Sequence, residues 1–308
     1  MSLFSGEQKM ETEVKKPSTG ARIGYFFLAL VPTVLCLIMQ VMALVVMCII
    51  LAVGKFATGE LDATAPDYLT KISALMMEAA PSGVTLYHII GILFFGLWFK
   101  LCFKKPRPTI RKSFAKVTKE SVVLAVLFGL VLCLFANSSV MVEYHLIPNV
   151  VNAYMEMAET VGLGGDSLMM LFTTVIMAPI GEEFLCRGVT MHFAQKAFGK
   201  FWLANILQAV MFGCIHGNWV QGIYAFVIGL VLGWLVRKYD SLVPAMLLHF
   251  VVNASSSSWA PWMINSLYGE DMPSLPVGLI WLAVTSAAAI AIVVYKEKKD
   301  RENLNSTT

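Results

Sequence analysis

The stretch Ala178-Pro179-Ile180-Gly181-Glu182-Glu183-Phe184-Leu185-Cys186-Arg187 sets two adjacent carboxylates and a guanidinium inside an apolar run from Leu168 to Val189. At the centre of a membrane helix each charge costs roughly 2.5–3.5 kcal/mol, so three left alone would cost about 8–10 kcal/mol. They must be paired, hydrated or neutralised. On a helix Glu183 and Arg187 share a face and can pair. Glu182 points about 100° away and finds no partner on its own helix. Pro179 lacks an amide proton and is expected to free the carbonyl of Val175, opening the helix one turn before the pair. Downstream, Phe212 and His216 are four residues apart, and so are His249 and Asn253. Three helices thus bring polar residues at helical spacing within 72 residues of chain.

The chemistry of such a set is hydrolytic. Glu182 in a pocket of low dielectric can take a proton from water. A neutral His216 can share that water or carry the proton onward. His249 and Asn253 offer donors to an oxyanion growing on an attacked carbonyl. The same carboxylate and two histidines also suit a divalent metal such as zinc, since two histidines, one carboxylate and an open position form a catalytic zinc arrangement. The HExxH spacing that would select zinc is absent. The residues alone therefore leave open whether there is no cofactor or a metal.

Residues of this kind need an unusual scaffold, and the composition supplies one. The chain has 308 residues, 57% of them hydrophobic and only 14% charged, with a mean hydropathy of +0.71. That excludes an ordinary soluble domain and gives room for about eight membrane helices. The expected fold is all-α and polytopic, with spans near 25–53, 84–99, 122–136, 167–189, 201–216, 220–236, 242–253 and 277–295. The chain divides into a polar tail (1–22), the N-terminal transmembrane helices (23–165), a catalytic core in helices four to seven (166–256), and a last helix with a basic tail (257–308).

Charge orients the spans. The loop after the second carries Lys100, Lys104, Lys105, Arg107, Arg111, Lys112, Lys116 and Lys119, whereas 140–166 and 254–276 hold acids and no Lys or Arg. Basic loops stay inside, so both termini are expected in the cytoplasm of a cell whose plasma membrane the chain crosses repeatedly. The basic loop is a solvated, lipid-facing feature, and no nucleic-acid partner is implied. Glu183 lies 16 residues before Gly199 and His216 lies 16 after Lys200, so a straight hairpin brings them level, on a site opening to the cytoplasm. Ala225, Gly229 and Gly233 form a small-residue face for close helix packing. The six cysteines show no CxxC pair or disulfide-like spacing, and read as free packing thiols. No secretory signal is recognisable at the N-terminus.

At these positions the chain resembles the CPBP family, the CAAX protease and bacteriocin-processing (Abi) intramembrane proteases. Its pattern is EExxxR, FxxxH and HxxxN, here Glu182-Glu183-Phe-Leu-Cys-Arg187, Phe212-Gly-Cys-Ile-His216 and His249-Phe-Val-Val-Asn253. All three elements occur in order and without substitution, over about 166–256. The resemblance implies Glu182 as the water-activating base assisted by His216. His249 and Asn253 would stabilise the oxyanion, with Glu183 and Arg187 orienting the site. It implies an endopeptidase acting on a membrane-associated peptide or protein within the lipid bilayer, and members are linked to bacteriocin immunity. The family is described both as glutamate-dependent and as metal-dependent. The rival readings are a transporter using the carboxylates as a cation site, and an immunity scaffold that binds without cutting. No repeat relates the two halves of the chain, which disfavours the transporter.

Overall fold

The computed structural model describes residues 17–102, 116–162, 167–269 and 272–306. Lys104, Lys105, Arg107, Arg111 and Lys112 of the basic loop lie outside these, as does the tail up to Lys16. All regular structure among the described residues is helical. The helices are α1 (Thr19–Thr58), α2 (Tyr68–Cys102), α3 (Lys119–Leu146), α4 (Pro148–Thr160), α5 (Leu168–Phe198), α6 (Phe201–Cys214), α7 (Trp219–Tyr239), α8 (Val243–Ser256), α9 (Trp259–Tyr268) and α10 (Leu275–Asn305).

Six of them, α1, α2, α3, α5, α7 and α10, are long and apolar enough to cross a membrane. With the shorter apolar α6 and α8 they account for the eight segments read from the sequence, and the chain is a multi-pass membrane protein. Three details differ from the sequence reading. Thr19–Arg22 are helical, with Ser18 accepting the Ala21 amide as N-cap. The acidic segments contain helices of their own, α4 and α9. The basic tail is not separate but continues α10, where Lys296 bridges to Glu120 on α3 and Glu297 pairs with Lys238 on α7.

Helix α6 has 14 residues, about 21 Å at 1.5 Å per residue. A hydrocarbon core is about 30 Å thick, so one end of α6 stops at membrane depth. Irregular backbone is tolerated there only inside protein, with its polar groups satisfied. The turn after α6 meets that condition. Gln40 of α1 donates to the Ile215 carbonyl at 3.0 Å, and Asn218 donates to the His216 carbonyl at 3.0 Å while its Oδ1 caps α7. His216 therefore sits in a braced turn just past the helix end, not on the helix.

The small-residue face of α7 packs as its spacing suggested. A β-carbon on Gly229 would lie 3.0 Å from the Ala209 backbone, and one on Gly233 only 1.8 Å from Asn205 Oδ1. The face does more than pack, because the Gly229 carbonyl accepts from Gln208 at 2.8 Å and from Arg187 at 3.3 Å. Asn205 is itself held by its bond to the Leu230 carbonyl at 2.9 Å, so it cannot swing aside. Gly233→Ala is expected to destabilise the protein by about 1–3 kcal/mol, read as a lower thermal unfolding midpoint. Gly222→Ala should shift it far less, since its nearest neighbour is 3.5 Å from the new carbon.

Candidate active site

Helix α5 is not a regular α-helix. Two π-helical stretches, Thr173–Met177 and Phe184–Thr190, flank the α-helical turn that carries the carboxylates. Such stretches cluster at functional sites, because each inserts a residue and re-aims those beside it. In the first, the Ala178 amide reaches back five residues to the Thr173 carbonyl. In that register the missing Pro179 amide frees the carbonyl of Thr174, not that of Val175 as α-helical spacing implied. Asn253 of α8 donates its Nδ2 to that carbonyl at 2.8 Å. Proline, π-turn and asparagine thus explain one another, and they lock α8 to α5.

The ion pair is formed as the spacing required. Arg187 Nη1 donates to Glu183 Oε1 at 2.8 Å, with both side chains fully buried. The guanidinium carbon lies 4.3 Å from the centre of the Phe212 ring, a stacking that gains strength without competing water. The same ring meets both histidines in T-shaped contacts, with centroids 5.1 Å from His216 and 5.5 Å from His249. Phe212 is therefore the wedge that sets the two imidazoles against the arginine.

His249 is placed between the carboxylates. Its Nδ1 lies 3.2 Å from Glu183 Oε1 and its Nε2 lies 3.7 Å from Glu182 Oε2. Glu183 Oε1 thus receives both Arg187 and His249, and fixes which ring edge faces Glu182. Glu182 is 9% exposed, and among the described residues no hydrogen bond reaches its carboxylate. His216 donates its Nδ1–H to the Phe212 carbonyl at 2.8 Å, and lies within electrostatic reach of Glu182, His249 and Arg187. Glu182, Glu183, Arg187, His216 and His249 form one cluster. Asn253 lies one turn beyond His249, tied to α5.

Residues 164–255 match the family described as Rce1-like, type II CAAX prenyl endopeptidase. The Rce1-like segment spans α5 to α8, and its match bears out the CPBP resemblance read from the three motifs. It supports a CAAX-type endopeptidase acting in the membrane. No curated protein and no solved structure matches the chain. For a metal, the donor set does not fit as it stands: among the described residues no three His, Cys, Asp or Glu side chains are grouped to hold an ion.

Motif reading missed three contributions, two of them from outside the matched segment. Gln40 braces the turn before His216. Gln208 and Asn205 are fully buried in α6 and bind the Gly229 and Leu230 carbonyls. His88 of α2 lies within electrostatic reach of Glu182, His216 and His249. A signal for each was available, since every one is a polar residue interrupting an apolar span.

Proposed function

We propose that the protein is an intramembrane endopeptidase that hydrolyses a peptide bond of a membrane-associated peptide or protein with water activated by Glu182. The observation that carries this reading is His249, bonded at Nδ1 to the buried Glu183–Arg187 pair and facing Glu182 at 3.7 Å through Nε2. Charge balance adds to it. Arg187 offsets the buried Glu183 carboxylate, in a medium where an unpaired charge is costly.

Glu182 takes one proton from water as the water oxygen attacks the scissile carbonyl carbon. The carbonyl oxygen becomes an oxyanion, accepting from His249 Nε2–H and from the Asn253 N–H not committed to Thr174. Glu182 then passes its proton to the leaving nitrogen as the C–N bond breaks, giving a carboxylic acid and an amine, which become carboxylate and ammonium when the acid's proton moves to the amine. His216, with Nδ1 on the Phe212 carbonyl, holds the water through Nε2. Glu183 and Arg187 keep His249 oriented.

The test is cleavage of a panel of amphipathic peptides by the purified protein, with prenylated and unprenylated C-terminal Cys peptides as separate arms. Cleavage that survives prolonged chelation supports the carboxylate route, whereas loss on chelation with recovery on stoichiometric zinc overturns it. The orientation, with both termini and the basic loops in the cytoplasm, follows from the distribution of Lys and Arg. Cysteines engineered in 140–162 are expected to be labelled from outside intact cells and one at Lys116 is not. Labelling at Lys116 contradicts this orientation.

A further inference from the structure

The Rce1-like match begins at residue 164, yet one wall of the site is built from α2. That helix runs alongside α5. The hydroxyls of Thr85 and Thr173 are 3.0 Å apart. Ile92 packs on Gly181, Phe184 on Gly96 and Phe99 on Gly188, each within 3.5 Å of where a β-carbon would stand. Residues 85, 88, 92, 96 and 99 recur at three or four and form one stripe. His88 sits on it between Thr85, which marks the level of Thr173, and Ile92, which marks Gly181. The Glu182 side chain leans toward the N-terminal end of its helix and so toward His88.

His88 is 7% exposed, and among the described residues no hydrogen bond reaches either ring nitrogen. Its neighbour gives it no partner, because the Tyr87 hydroxyl is engaged with Cys36 Sγ at 3.0 Å. A largely buried imidazole is costly to keep unless water or another polar group meets its nitrogens. Glu182, His216 and His249 lie within electrostatic reach of it, and the Glu182 carboxylate is equally without a bonded donor. We infer that His88 is a third histidine of the site, hydrogen-bonding the attacking water and positioning it for Glu182. The inference rests on the reading of Glu182 as the base.

The test compares His88→Phe, which keeps a ring and removes both nitrogens, with His88→Asn, which restores a hydrogen-bonding group. Thr85→Val serves as a control that loosens the same helix contact. Full-length proteins are assayed for kcat and KM on a peptide the wild type cleaves, and for thermal unfolding. His88→Phe is expected to lose about 10²-fold in kcat, with KM and the unfolding midpoint little changed. His88→Asn should recover much of that loss, and Thr85→Val should turn over as the wild type does. Wild-type kcat in His88→Phe, or an equal loss in Thr85→Val, overturns the inference. A wild type that cleaves but is indifferent to Glu182→Gln overturns the reading of Glu182 instead, whatever His88 does.

Discussion

Glu182→Gln is expected to abolish peptide cleavage while leaving the protein folded. Glutamine keeps the shape of the side chain but cannot take a proton. No hydrogen bond among the described residues depends on the carboxylate, and His249 Nε2 lies 3.7 Å away. Loss of a general base alone is typically about 10²–10⁴-fold, and the water it polarises is lost with it, so the deficit should lie at or beyond the upper end. Asn253→Ala should cost less, about 10²–10³-fold, because one donor to the oxyanion is removed and the base remains. Some of that loss will come from α8, since Asn253 also satisfies the Thr174 carbonyl. Steady-state kinetics on the three proteins check the order. Residual activity higher in Glu182→Gln than in Asn253→Ala would reverse the assignment of base and oxyanion donor.

Arg187→Ala is expected to damage stability and activity together. Its guanidinium is fully buried, donates to Glu183 at 2.8 Å and to the Gly229 carbonyl at 3.3 Å, and stacks on Phe212. Removing it leaves the Glu183 carboxylate buried beside His249 alone. Breaking a buried pair in this way costs about 3–5 kcal/mol, visible as lower yield from membranes and a lower thermal unfolding midpoint. Arg187→Lys should rescue only part, because an ammonium cannot span Glu183 and Gly229 while stacking on the ring. A variant that is inactive but as stable as the wild type would mean that the arginine acts on substrate.

How far the site could be read from the chain depends on the range of each interaction. The Glu183–Arg187 pair was legible because four-residue spacing is a local property of helices. So was the close approach of α6 and α7, written in Ala225, Gly229 and Gly233. Counting depth on either side of Gly199 set Glu183 level with His216, whereas the contact of Glu183 with His249 across 66 residues lay outside that count. What failed was register within a helix. The π-helical stretch moved the freed carbonyl from Val175 to Thr174, and no residue pattern announces it before Asn253 is seen bound there. Position relative to other helices also failed. His88 gave no motif in its span, and only the packing of α2 along α5 brings it within electrostatic reach of Glu182. Phe212 read as the first letter of a spacing, yet its ring is in contact with three charged or titratable groups, Arg187, His216 and His249.

A single turnover in ¹⁸O-labelled water tests the central claim most directly, with the label sought in both the peptide product and the protein. Water activated by Glu182 and attacking the carbonyl carbon itself puts one ¹⁸O into the new peptide carboxylate and none into Glu182. Label in the Glu182 side chain would reveal an acyl-enzyme formed on that carboxylate, and would contradict the account.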